Sequence, residues 1–425
     1  MVGARVERVG DPGDPAPAPF VRARLDNGLR VLVRENRALP LVAVDCWLAV
    51  GALDEDDEHS GISHFLEHMF FKGTSRYPVG AMDRLVKQMG GYNNAATSME
   101  YTHYYVVSPA EHFASALDLL ADHLTDPALP AEELERERRV VKEEIRRKDD
   151  APHGRLYTAL ARAAFRDSPY AREILGDPDS LDRIDPQVMR EYWARHYAPD
   201  RLVVAIAGDL EAAAAVDAVA ARLGDRPPTS VPRAAPEPPA VEATSVEETM
   251  DVGQGYLAWA FGTAGRSDLA ETCALEVAAT ALGEGMTSRL HRRLIDETRL
   301  VTAVSAWTFG LARVGLFGVD ALCAPERRPA VEDEIAGVLS AAVEQGLGEA
   351  EVARARTMLA ADFAYDNETN AALTGTLGEF ETLYGDAGRW RDVLRGIKET
   401  TPAAATEALA RTVPARRAVR AWVGP

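Results

Sequence analysis

Residues 226–244 carry six prolines (Pro227, Pro228, Pro232, Pro236, Pro238 and Pro239), and no other feature constrains the fold of this 425-residue chain as strongly. Proline locks φ and offers no backbone donor, so such a run cannot sit inside a helix or a central strand. It reads as a semi-extended linker at 226–245 between two domains, residues 21–225 and 246–425. Residues 1–20, rich in Pro, Gly and Asp, read as a flexible leader.

The order of elements repeats across the linker. Before it come a hairpin signal at Asn27-Gly28, a strand at 41–50, and helical spacing at 62–71 and 82–89. Strand character follows at 94–107, then helices at 110–124, 131–148, 156–165 and 186–197, a strand at 202–208 and a helix at 212–223. After it come a strand at 255–261, helices at 268–282 and 288–296, strands at 302–308 and 316–322, and helices at 328–345 and 349–363. This predicts an α/β (α+β) chain of two homologous halves, each a mixed, mainly antiparallel sheet covered by helices.

The first half holds chemistry that the second lacks. In Gly61-Ile62-Ser63-His64-Phe65-Leu66-Glu67-His68-Met69-Phe70-Phe71-Lys72-Gly73-Thr74, two histidines four apart lie in an apolar run free of Pro and Gly from Ile62 to Phe71. Four residues is just over one helical turn, so His64 and His68 stack on one face and can share a metal ion. Glu67 lies beside them, in the order H-x-x-E-H. A catalytic zinc takes three protein ligands and keeps an open position. Third-ligand candidates crowd the helix at 131–148: Glu132, Glu133, Glu135, Glu137, Glu143 and Glu144. Glu137 and Glu144 are two turns apart on one face, and Glu143 is rotated about 100° from Glu144. Helical geometry leaves Glu143 and Glu144 as rivals. In the second half, a shift of 210 (274 − 64) sets Ala274, Val277 and Ala278 over the motif, and a shift of 218 (362 − 144) sets Ala355 and Asp362 over Glu137 and Glu144.

Charge narrows the class of partner. With 47 Lys+Arg against 66 Asp+Glu, the net charge is −19, which opposes a nucleic-acid role. Cys46, Cys273 and Cys323 are odd in number, widely spaced and set in apolar surroundings, so they read as buried free thiols. No apolar run is long enough to span a membrane, and residues 1–20 lack the core of a signal peptide. The expected address is the cytoplasm, with no nucleic-acid or membrane partner.

His64-Phe65-Leu66-Glu67-His68 with Phe71-Lys72-Gly73-Thr74 resembles the pitrilysin/insulysin family of inverted-zincin metallopeptidases, which includes the mitochondrial processing peptidases. So do Gly90-Gly91-Tyr92-Asn93-Asn94-Ala95-Ala96-Thr97 with Thr102, Tyr104 and Tyr105, and Arg136-Glu137-Arg138-Arg139-Val140-Val141-Lys142-Glu143-Glu144-Ile145. The resemblance implies a clamshell of two halves holding one Zn2+ per chain. It implies His64, His68 and Glu144 as ligands, Glu144 falling 76 residues after His68 (144 − 68). It implies Glu137 as a group orienting a ligand and Glu67 as general base. Asn94 and Ala95 would lie on an edge strand that binds extended peptide.

The chain departs from that pattern in its second half. Self-sufficient members carry an Arg and a Tyr seven residues apart, after a block that stands here as Gly285-Met286-Thr287-Ser288-Arg289-Leu290. At the matching positions this chain has Ile295 and Thr302, and no Tyr occurs between Tyr256 and Tyr365. The resemblance therefore implies a heterodimer in which a homologous zinc-less partner supplies the Arg/Tyr pair. The alternatives are a self-sufficient homodimeric peptidase, a non-catalytic binding or assembly protein of the same fold, and a zinc hydrolase acting on other substrates.

Overall fold

The computed structural model describes residues 4–9, 19–229, 231–233, 235–413 and 418–425. The first half of the chain runs β1 (Ala4–Val9), β2 (Phe20–Leu25), β3 (Arg30–Glu35), β4 (Leu41–Leu48), α1 (Ile62–Phe70), α2 (Ala81–Gln88), β5 (Tyr92–Thr97) and β6 (Thr102–Pro109). It continues through α3 (Phe113–Thr125), α4 (Ala131–Asp150), α5 (Pro152–Phe165), α6 (Pro178–Arg183), α7 (Pro186–His196), β7 (Leu202–Gly208) and α8 (Ala212–Leu223). The second half opens with β8 (Thr244–Thr249), β9 (Gly255–Thr263), α9 (Leu269–Gly283), α10 (Arg289–His291), which runs into a π-helical turn at Arg292–Glu297, β10 (Val301–Gly310) and β11 (Gly315–Cys323). It ends with α11 (Arg328–Gln345), α12 (Glu349–Tyr365), α13 (Asn370–Tyr384), α14 (Trp390–Glu399), α15 (Pro402–Thr412) and β12 (Val419–Gly424).

The two sheets have one topology. The first is ordered β1-β2-β3-β7-β4-β6-β5, and the second, read from its far side, β8-β12-β9-β11-β10. In each, the first shared pair is parallel (β3 with β7, β8 with β12) and the following three are antiparallel. Five strands thus match in order and sense, and β1 and β2 extend the first sheet alone. The duplication read from the sequence is a duplication of topology.

Two local readings change. Residues 94–107 form a hairpin, not one strand, because Ser98 N–H closes a turn onto Tyr101 O at 2.8 Å. Met99 and Glu100 in that turn are buried, so the turn keeps an apolar look in the sequence. Of the leader, residues 4–9 pair with β2 as strand β1, and residues 1–3 and 10–18 lie outside the described residues.

Backbone contacts divide the chain into two units, and neither is a contiguous half. One comprises residues 1–145, 173–235 and 366–391, the other 146–172, 236–365 and 392–425. In the first, Val42, Val44, Cys46, Tyr104 and Val106 of the sheet bury Phe65, Met69, Leu117, Leu120 and Val216 from α1, α3 and α8. The opposite face of that sheet carries α13, which lies on β4 and β7 with Leu377 against Trp47, Leu32 and Val203. In the second, α5 lies on β8, β9 and β12, and a separate core gathers around α9 with Trp259, Phe317 and Val319. Each sheet is therefore covered on one face by a helix drawn from the other half of the sequence. All three cysteines are free and buried, as expected for packing thiols. No helix among the described residues is long and apolar enough to cross a membrane.

Candidate metal centre

The histidine helix is fixed from three sides. Its apolar residues Phe65, Leu66, Met69 and Phe70 are at most 2% exposed, and Phe70 stacks on Tyr104 with ring centroids 3.8 Å apart. Its N-terminus has no side-chain cap from its own flank. The buried carboxylate of Glu55 does that work, accepting from Gly61 N–H at 2.7 Å and Ser63 N–H at 2.9 Å. A negative group there answers both the open N–H groups and the positive end of the helix. Gly61 enters the helix at φ 89°, and a Cβ there would meet Leu175 O, so the sharp entry requires glycine. On the far side Ser63 Oγ and Tyr192 Oη are 2.7 Å apart.

With the apolar face buried, His64 and His68 turn to the same outer edge, ring centroids 4.8 Å apart. Helix α4 supplies the third group. Leu134, Val141 and Ile145 are its buried stripe, as the sequence spacing predicts, and Arg138 is buried with them, donating to Leu181 O and Ile184 O and lying over the Phe65 ring at 5.6 Å. That anchoring sets the rotation of α4. Glu144 Oε2 stands 3.5 Å from His68 Nε2 and 3.8 Å from His64 Nε2, whereas Glu143 is exposed. The ambiguity left by helical geometry is thereby resolved in favour of Glu144 as the carboxylate beside the histidines.

Glu137, two turns earlier, lies 3.0 Å from His68 Nδ1 and 2.6 Å from Lys72 Nζ. Its carboxyl is held below the ordinary value chiefly by the His68 hydrogen bond, then by Lys72. Burial acts to lower the His68 pKa, but the Glu137 bond and the nearby carboxylates outweigh it and leave it raised. His64 is pushed down to about 4, mainly by burial and then by His68, so its ring is neutral at pH 7. Its Nδ1 is buried with no hydrogen-bond partner among the described residues, so packing orients this ring. Glu67 is pushed above the ordinary carboxylate value by burial, partly offset by Thr97 Oγ1, which donates to its Oε2 at 2.5 Å. Thr97 ends strand β5. On the same strand Asn94 is exposed and Ala95 half-buried, and β5 is the outermost strand of its sheet.

The donor set fits a zinc ion. One atom from each of His64, His68 and Glu144 lies within 4.8 Å of the others, the only such grouping of metal-ligating side chains among the described residues. Ligands about 2.0–2.1 Å from a tetrahedral centre stand roughly 3.3 Å apart, close to the two measured His–Glu separations. Two imidazoles and one carboxylate as ligands would leave one position of a four-coordinate zinc for water.

Three partners of the site have no signal in the sequence that marks them as such: Glu55, Thr97 and Lys72. Lys72 lies just past the histidine motif, but only the contact with Glu137 gives it a role. Thr97 belongs to a register that is invisible while residues 94–107 read as a single strand. In the second half, Ile295 packs against the core and Thr302 Oγ1 donates to Leu322 O at 3.3 Å.

The family model for Insulinase (Peptidase family M16) matches residues 30–178, and that for the Peptidase M16 inactive domain matches residues 183–359. The chain belongs to the insulinase family of peptidases, family M16. It is 30% identical over 95% of its length to an uncharacterized zinc protease of Streptomyces coelicolor, covering 89% of that protein. It is 29% identical over 87% of its length to a protein of Arabidopsis thaliana named probable mitochondrial-processing peptidase subunit β, covering 71% of that one. The crystal structure of a protease from Helicobacter pylori superposes with TM-score 0.88 at 23% identity, covering 99% of this chain and all (100%) of that one, a likeness of fold. The second-half model carries the word inactive, in keeping with the alanines that replace the histidines there.

Proposed function

We propose that the chain is the catalytic, zinc-bearing subunit of an endopeptidase that hydrolyses peptides or leader sequences, located in the cytoplasm. The observation that carries this reading is the convergence of His64 Nε2, His68 Nε2 and Glu144 Oε2 beside the Glu67 carboxylate. Relatives named zinc proteases support it.

In this reading His64, His68 and Glu144 hold one Zn2+ per chain. Zinc, when bound, supplies Lewis acidity that polarises a carbonyl and acidifies water. The chain's own residues do the rest. Glu137 holds Nδ1 of His68, which fixes the ring with Nε2 toward the metal, and Lys72 neutralises the outer oxygen of Glu137. Glu67 takes a proton from water attacking the peptide carbonyl and returns it to the leaving amine. Asn94 and Ala95 offer the edge of β5 to an extended substrate through backbone hydrogen bonds. What this chain lacks is a donor for the developing oxyanion, since Ile295 and Thr302 stand where the family's Arg and Tyr stand. A heterodimer with a homologous zinc-less subunit supplies that pair.

The test is Glu67→Gln in an active preparation, the chain alone or co-purified with its partner. Zinc content should stay at one ion per chain while peptide cleavage falls by about 10²–10⁴, the usual worth of a general base. Retained metal with unchanged cleavage would remove Glu67 from the mechanism.

A further inference from the structure

Strand β5 presents two faces, and the catalytic reading uses only one. Side chains alternate along a strand, and here Asn93, Ala95 and Thr97 turn toward α1, whereas Tyr92, Asn94 and Ala96 turn to the opposite face and are exposed. Tyr92 is 53% exposed, which is unusual for a strand tyrosine. Its neighbour β6 divides the same way: Thr102, Tyr104 and Val106 are buried toward α1, while His103 and Tyr105 are only partly buried on the other side.

On that second face the rings form a continuous ladder. Tyr92 meets Tyr105 edge to face with centroids 6.2 Å apart, and Tyr105 lies nearly parallel to His103 at 5.8 Å. His103 stacks on Trp47 at 4.2 Å, and Trp47 meets Tyr101 at 4.7 Å. The inner end is locked. Trp47 is 3% exposed beneath α13, and buried Asp45 holds His103 Nδ1 at 3.0 Å. The outer part of the ladder is the accessible one: Tyr92 is 53% exposed, Tyr105 is partly exposed, and only the Ala96 methyl stands opposite the mostly buried His103. No strand pairs with the outer edge of β5 among the described residues.

An added strand would run about 4.8 Å beyond β5, with every second side chain projecting onto the ladder face. Over Ala96 such a side chain reaches the His103 and Tyr105 rings. We propose that this ladder is a side-chain subsite: a peptide laid along β5 turns alternate residues toward it, and the position opposite Ala96 selects an aromatic side chain. An aromatic fits because stacked ring faces reward another ring beyond simple area burial. The locked inner rings keep their orientation, so little ordering cost falls on binding. This inference rests on the peptidase reading only for placing the peptide on β5.

The experiment walks a single phenylalanine through an alanine/serine peptide and measures equilibrium binding to the full chain carrying Glu67→Gln, loaded with zinc. Affinity should alternate with period two, phenylalanine at the favoured positions binding roughly 3- to 10-fold tighter than the parent peptide. Ala96→Leu, which covers His103, should flatten that alternation while the parent peptide binds as before. With the unsubstituted chain in an active preparation, alone or with its partner, KM should follow the same alternation and kcat should not. A response without period two, one unchanged by Ala96→Leu, or no binding of any peptide would overturn the subsite. Alternating binding with no cleavage by the unsubstituted chain, either alone or with its zinc-less partner, would keep the subsite and remove the peptidase reading.

Discussion

Glu67 owes its orientation to a hydroxyl on another element. Thr97 Oγ1 donates to its Oε2 at 2.5 Å, tying the carboxylate to the end of the strand proposed to receive substrate. A hydrogen bond to a charged group contributes roughly 1.5–3 kcal/mol, so losing it costs about tenfold or more wherever that orientation is used. Thr97→Val keeps the shape and removes the donor. It should lower kcat by about tenfold while zinc content is unchanged, and Thr97→Ser should recover most of the loss; steady-state kinetics with metal analysis on all three proteins would show it. Equal kcat for Thr97→Val would mean that packing alone holds Glu67. The histidine pair was legible in the sequence because a spacing of four has one meaning on a helix. Helical spacing alone left Glu144 level with Glu143, because the choice depends on how α4 is rotated; only the family resemblance pointed to Glu144. Arg138 sets that rotation through carbonyls of α6 and its C-terminal boundary, more than forty residues away in the chain.

At the scale of elements, helix α13 shows what the sequence hides. Its contact with the first sheet uses Gly378, Leu377 and Thr374 more than large apolar residues, so no strong period of 3.6 marks it. The apolar stripe of α4 was legible, since Leu134, Val141 and Ile145 recur at helical spacing. A Cβ on Gly378 would run into the Trp47 ring. Gly378→Val should therefore destabilise the protein by about 1–3 kcal/mol, as overpacking does, read as a lowered denaturant midpoint. An unchanged midpoint would mean that the close approach of α13 to the sheet is not required. A second tie joins α10 to α12, where Arg289 Nε and Nη2 each lie 2.7 Å from a different oxygen of Glu351. The hydrogen bond from Arg289 is the largest cause holding the Glu351 carboxyl below its ordinary value of 4.5. The folded protein thus binds that proton less tightly than the unfolded chain, and the pair's contribution is present above that value and lost as pH falls through the folded pKa. The midpoint difference between the unsubstituted chain and Glu351→Gln should be plain at neutral pH and shrink as pH falls below 4.5 through the folded pKa. A difference that stays constant down to acid pH would show that the charge on Glu351 is not what stabilises.

For the whole molecule, the duplication is the main fact. Two sheets share strand order and pairing sense, and each takes a covering helix from the other half of the sequence, α13 on the first and α5 on the second. The repeat was legible because element order survives where residue identity does not. The exchanged helices were not, because packing between elements far apart in the chain leaves no local pattern. Duplication without duplicated chemistry leaves the second half free to serve another role. Its histidine-helix counterpart α9 carries Ala274 and Ala278, both buried, where ligands would stand. Its Ile295, packed against the core, has no polar group to donate, and the exposed Thr302 hydroxyl donates to Leu322 O. Losing an oxyanion donor typically costs about 10²–10³ in rate. The purified chain should bind zinc yet cleave peptides poorly, and a homologue lacking H-x-x-E-H but bearing the Arg/Tyr pair should restore that factor when mixed with it. Substituting the partner's arginine or tyrosine should abolish the gain without weakening association, which separates a chemical contribution from a merely stabilising one. Peptide cleavage by the chain alone at the rate of the mixture would sink the heterodimer and leave the self-sufficient enzyme.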